Sequence, residues 1–330
     1  MSEFPWPPGA ATGIGSLPGT DIAEAQRTVL GELPDLPHLA ELPERGPGAD
    51  LIGRSAGLLA ELPVQLYAGR WQVAPRPGQD LRRTADLLER DLDQLTEQGD
   101  GFAGLLKIQS AGPWTLASSI DLPIGGRLLR DPGAVRDLTA SLAEGLRRHV
   151  DEVRKRLPRA SVLLQIDEPS LTAVLAGRIP TESGLGAYRA VEPVDAASGL
   201  RTVVEAAGAP VVIHSCAPQV PLQVVRDSGA VAVSLDMSLV DDLDPLGEAI
   251  EAGLGLFAGV VPTRSAQRPD AKAVAEKVTT LWRQRLGFPA DRLARQVVLT
   301  PACGLSGASQ PYARAALTAV REAGRRLSEA

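Results

Sequence analysis

The chain has 330 residues, 44% of them hydrophobic, and a formal net charge of −6. That is enough apolar material for one large core, and the mild acidity argues against nucleic acid or an anionic membrane surface as a partner. Two cysteines in a chain this long do not make a disulfide framework, and every uninterrupted apolar run is too short to cross a bilayer.

Short apolar runs alternate with longer amphipathic segments. Residues 1–9 form an N-terminal extension without the basic patch and apolar run of a secretory signal, so a cytoplasmic location is expected. Strands are predicted over 11–15, 36–42, 104–109, 161–166, 210–214, 230–235, 255–260 and 296–300. Several are apolar without alternation, as in Val162-Leu163-Leu164-Gln165-Ile166, the pattern of a strand buried on both faces. Helical periodicity covers 21–33, 81–97, 131–157, 222–227, 243–252, 271–286 and 311–327. Asp21 is a capping residue, and Asp131-Pro132 is a favoured helix start. The Pro- and Gly-rich segments 43–49 and 74–79 read as loops. Strand–helix alternation on this scale implies parallel strands with right-handed crossovers. About eight strands favour a single-domain α/β structure, a (β/α)8 TIM barrel spanning 1–330, over an open sheet.

The chemically capable residues fall at the ends of the predicted strands, which a barrel gathers on one face. The first strand leads into Gly13-Ile14-Gly15-Ser16, whose N–H groups and hydroxyl suit a small carboxylate. Glu41 and Glu44 lie around the end of the second. Asp167 and Glu168 follow the fourth; two adjacent carboxylates there bind an ammonium group or act as acid and base. The alternative is that Glu168 caps the next helix and Asp167 pairs with an arginine. His214 and Cys216, two residues apart after the fifth strand, point the same way, and Cys303 follows the eighth. One imidazole and two thiolates suit zinc, and three protein ligands leave a fourth position for a substrate. Asp236, at the end of the sixth strand, is a candidate fourth, weaker ligand. Against this, a lone cysteine is often only a small buried hydrophobe. His38 lies outside the constellation, and His149, in the long helix, is expected to face solvent.

Gly13-Ile14-Gly15-Ser16-Leu17-Pro18, Gly112-Pro113-Trp114-Thr115, Gln165-Ile166-Asp167-Glu168-Pro169, His214-Ser215-Cys216 and Ala302-Cys303-Gly304-Leu305 resemble, in order, motifs of the C-terminal barrel of cobalamin-independent methionine synthase. The resemblance runs from about residue 10 onward and suggests a core-only form. It implies zinc held by His214, Cys216 and Cys303, with Asp236 where the family has a Glu ligand. It places the carboxylate of homocysteine at Ser16 with the backbone of Ile14 and Gly15, and the amino group at Asp167 and Glu41. On the donor side the family's pterin-contacting Trp corresponds to Ser119-Ile120, with Trp114 close by, and its late His falls near Arg264. The implied activity is methyl transfer to a homocysteine-like thiol, giving methionine, from a methyl-folate or a methyl-corrinoid. Two alternatives stand beside it: a uroporphyrinogen decarboxylase-like barrel enzyme, and a non-catalytic protein that binds zinc and thiol or a corrinoid.

Overall fold

The structure is a computed structural model that describes residues 4–329. Strands β1 (Val64–Tyr67) and β2 (Arg70–Val73) form a small antiparallel hairpin. Strands β3 (Leu105–Ala111), β4 (Ser161–Asp167), β5 (Val211–Ser215), β6 (Ala232–Asp236), β7 (Gly255–Val261) and β8 (Val297–Pro301) form one curled parallel sheet in sequence order. These six coincide with the third to eighth predicted strands. The hairpin is not foreseen, because its turn residues are Ala68 (φ 49) and Gly69 (φ 80). An alanine in that conformation carries none of the Asn-Gly signature that marks such turns.

The first two predicted strands are extended segments joined to their neighbours by single parallel bridges. Ala11 bridges Leu299 of β8, Ser16 bridges Glu41, and His38 bridges Lys107 of β3. The two segments thus span the gap between the edges of the six-stranded sheet. Proline and glycine limit them: Pro37 has no N–H to give a ladder. A Cβ on Gly13 would fall 2.3 Å from His38 Nε2, so glycine there lets the two segments lie side by side.

Side chains facing the inside of the sheet change character along the strands. Ala10, Leu36, Leu105, Leu163, Val212, Ala232, Phe257 and Val298 form an apolar floor, one residue at or just before each of the six strands and two extended segments. Phe4 and Trp6 close it from below; Trp6 stacks on Phe4 with centroids 5.1 Å apart and meets Phe257 edge-on at 5.0 Å. Burying a ring of this size contributes about 2–3 kcal/mol. Phe4 and Trp6 of the N-terminal extension therefore belong to the core, and residues 1–3 lie outside the described residues. Strand alternation puts every second residue on one face. Two residues further along stand Thr12, His38, Lys107, Gln165, His214, Ser234 and Thr300, all buried and all polar.

Helices flank the sheet much as their periodicity predicts. Asp21 Oδ1 accepts from Ala23 N and Glu24 N at the start of Ile22–Glu32, and Asp131 caps Pro132–Arg156 in the same way. A helix over Pro193–Ala206, with proline in its first turn, adds to the predicted set. His149 corrects the reading of that long second helix: it is buried, and burial beside Arg54 and Arg156 pushes its pKa down to about 3. No helix among the described residues is long and apolar enough to cross a membrane.

Candidate active site and metal centre

His214, the fourth residue of β5, is 3% exposed, and Cys216 follows one residue past the strand. Cys303 arrives from the loop after β8, where the Ala302 N–H donates to Val261 O at 2.8 Å. The ligand atoms of the three all lie within 4.8 Å of one another. Cys303 Sγ is 3.8 Å from His214 Nε2 and 3.1 Å from Cys216 Sγ. That sulfur separation is well beyond the ~2.05 Å of a disulfide. His214 Nδ1 lies 3.0 Å from the Ser234 hydroxyl of the neighbouring strand, which leaves Nε2 facing the thiols. Metal-binding imidazoles are oriented by such a second hydrogen bond. The donor set, its convergence and the held imidazole all fit a zinc ion. Two thiols this close do not ionise alike. Hydrogen bonds from Cys303 and His214 pull the Cys216 thiol down, and the Cys216 sulfur together with burial pushes Cys303 up.

The expected fourth ligand, Asp236, is not part of this group. β6 ends at Asp236 and the chain turns back at once, with Leu239 N–H donating to Asp236 O. Its carboxylate is used within that turn, accepting from Ser238 N at 2.9 Å and Ser238 Oγ at 2.6 Å. A short acidic side chain at a strand end commonly closes a turn in this way.

The trio borders a cleft of about 290 Å³ whose walls include Ile14, Gly15, Ser16, Glu41 and Asp167. Five of the residues expected at a substrate site therefore meet the candidate metal centre. The loop after Cys303 packs directly on Ser16: Leu305 N–H donates to Ser16 O at 2.8 Å. A Cβ on Gly304 would stand 2.1 Å from Ser16 Oγ, so glycine there lets the hydroxyl keep its place. Asp167, 5% exposed, accepts from Gln165 Nε2 at 2.7 Å. Burial pushes its pKa up to about 7, against the pull of His214 and Lys107. Glu41 is likewise raised by burial, with Arg54 Nε 3.3 Å away opposing the shift.

Two expected site residues have other occupations. Glu168, fully buried, accepts from Trp114 N at 3.0 Å, Thr115 N at 2.8 Å and Thr115 Oγ1 at 2.7 Å. It caps the short helix Pro113–Ala117 rather than reacting in the cleft or capping the helix that follows it. Trp114 turns into the core, where its Nε1 donates to Ala196 O at 3.0 Å and its ring lies against Gly199. Neither lines the cleft.

Lys107, Ser234 and Arg54 are supporting residues that the sequence reading overlooks, and Gln109 and Gln165, noted there without a role, join them. Lys107 is fully buried, and its Nζ donates to Ile14 O at 2.8 Å and Gln109 Oε1 at 3.3 Å. The signal was present: Lys107 and Gln109, like Gln165 and Asp167, are polar residues two apart in otherwise apolar strands. That spacing marks one inward face.

The catalytic-domain model of the cobalamin-independent synthase family matches residues 107–326. Among solved structures, a B12-independent methionine synthase from Shewanella sp. W3-18-1, in complex with selenomethionine, superposes with a TM-score of 0.63 at 14% identity, covering 98% of each chain. A methyltransferase from Methanosarcina mazei follows with a TM-score of 0.50 at 15% identity, covering 96% of this chain and 93% of that one. At such identities these two likenesses speak for the fold alone. No curated protein matches the chain in sequence. The family match spans two thirds of the chain and runs from within β3 through β8 with every residue of the candidate metal centre: the chain belongs to the cobalamin-independent synthase family and carries its catalytic domain.

Proposed function

We propose that this protein is a zinc-dependent S-methyltransferase that moves a methyl group onto a homocysteine-like thiol, giving methionine or a close analogue. The reading includes a single-domain (β/α)8 barrel, closed through the bridges of Ala11, Ser16 and His38, and a cytoplasmic location. The observation that carries it is the convergence of His214, Cys216 and Cys303 on a cleft that also holds Ser16 and Asp167. A zinc ion held by those three residues would keep an acceptor thiol deprotonated near neutral pH.

The chain's own residues do the rest. Asp167 offers a buried carboxylate to the acceptor's ammonium group, and Glu41, already paired with Arg54, supports it from the same cleft. Ser16 and the backbone before it face the acceptor's carboxylate. Fixing both ends of the amino acid leaves its sulfur only one direction, toward His214 and the cysteines. The sulfur then displaces the donor at the methyl carbon. A sulfur–carbon bond forms, the bond from methyl to donor breaks, and the donor keeps the electron pair. The donor is a methyl-folate or a methyl-corrinoid. A cleft of about 290 Å³ accommodates the acceptor, leaving the donor to approach from the open side.

A decarboxylase of the uroporphyrinogen type would require arginines in the mouth, and none lines this cleft among the described residues. The test is purified protein supplied with zinc, homocysteine and isotope-labelled methyl donors of both classes. Labelled methionine is the expected product. Stoichiometric zinc without transfer from either donor would leave a binding protein in place of an enzyme.

A further inference from the structure

One peptide of the cleft wall is held from behind. The Ile14 carbonyl oxygen accepts from Lys107 Nζ at 2.8 Å and from Gln165 Nε2 at 2.9 Å. Both donors are 0% exposed and rise from β3 and β4 without lining the cleft, whereas Ile14, Gly15 and Ser16 line it. In a trans peptide the C=O and the following N–H point in opposite directions, and there is no cis peptide among the described residues. Drawing the Ile14 oxygen toward Lys107 and Gln165 therefore turns the Gly15 N–H away from them. Neither the Gly15 N–H nor the Ser16 N–H has an acceptor among the described residues. The neighbouring Leu17 N–H is spent on Glu41 O, and the Glu41 N–H on Gly15 O. Two unspent N–H groups beside a serine hydroxyl form a donor set suited to an anion.

We infer that Lys107 is a positioning residue for the carboxylate of the acceptor. With Gln165 it fixes the Ile14–Gly15 peptide so that its N–H is offered to the cleft, and its charge offsets Glu41 and Asp167, which otherwise repel the acceptor's carboxylate. Burial lowers the Lys107 ammonium to about 8, and the Asp167 and Glu41 carboxylates hold it up against that shift. The inference rests on the thiol acceptor proposed above and adds how the site reads the carboxylate end of that acceptor.

Calorimetric titration of the zinc-loaded protein tests it with two thiols: L-homocysteine and homocysteamine, the same aminothiol without its carboxylate. The unmodified protein is expected to prefer homocysteine. Lys107→Met is expected to weaken homocysteine on the order of 10- to 100-fold, the range of a charge-assisted contact. Homocysteamine, attracted by the uncompensated carboxylates, keeps its affinity or gains. Equal losses for the two thiols overturn the inference, as does an unchanged affinity for homocysteine. Should Lys107→Met not fold, Gln165→Leu removes the other donor to the same oxygen and must narrow the ratio of the two affinities; an unchanged ratio is again fatal. If the unmodified protein binds neither thiol, the acceptor reading falls and the inference with it.

Discussion

The floor and the mouth of the curled sheet come from the same strands, one inward position apart, and they meet opposite demands. In β5 Val212 belongs to the apolar floor while His214 belongs to the candidate metal centre; in β3 Leu105 packs beneath Lys107. The floor excludes water through aromatic contact among Phe4, Trp6 and Phe257. The mouth keeps polar groups buried and pairs some of them, while His38 Nε2, Gln165 Oε1 and Thr300 Oγ1 find no partner among the described residues; such an arrangement contributes little to stability but fixes orientation. The contrast teaches that stability and chemistry are separated along the strand axis, within a single pleat.

Four variants break or sharpen that contrast. The largest effect is expected for Cys303→Ser, which should lose bound zinc and turnover together, the latter on the order of 10³-fold, as befits several kcal/mol of lost metal assistance. Metal content and labelled methyl transfer measure it, and full activity in a zinc-free Cys303→Ser protein would refute the site. Phe257→Ala, in the floor, should cost about 3–5 kcal/mol in urea unfolding while zinc stoichiometry under native conditions stays the same. If zinc is lost as well, floor and mouth are not separable. Ser234→Ala removes the hydroxyl at His214 Nδ1 and should weaken zinc about 10- to 100-fold in competition with a chelator. Unchanged affinity would mean that the imidazole is oriented by something else.

The smallest effect concerns acid. Burial depresses His38 and His149 from 6.5 to about 3. The unfolded chain protonates both histidines first, so their share of stability is full above 6.5 and is lost as pH falls toward 3. The slope is up to about 1.4 kcal/mol per pH unit for each histidine. His149→Gln should remove one histidine's share of that slope in acid unfolding curves. A slope identical to that of the unmodified protein would show that His149 does not stay neutral in the fold.

Local pattern was sufficient for the sheet. Runs such as Val162–Ile166 betray a strand buried on both faces, and Asp21 and Asp131 mark helix starts with side chains that reach only their own first turn. Short-range signals of this kind depend on neighbours a few residues away. The hairpin from Val64 to Val73 escapes because its turn uses Ala68 against its own preference. His149 escapes because a helix face is called polar or apolar by its own residues, whereas burial depends on what packs against it.

The sequence by itself determined the alternation of six strands and their helices, and the placing of His214, Cys216 and Cys303 at strand ends, since period and spacing are properties of contiguous chain. Only the tertiary structure decided which of the reactive residues share one space. It brought Cys303 to His214 across 89 residues, joined Lys107 to the carbonyl of Ile14 across 93, and withdrew Glu168, Trp114 and Asp236 to other partners. Contacts at such separations are set by how the sheet curls and how loops pack on its rim, which no local propensity encodes.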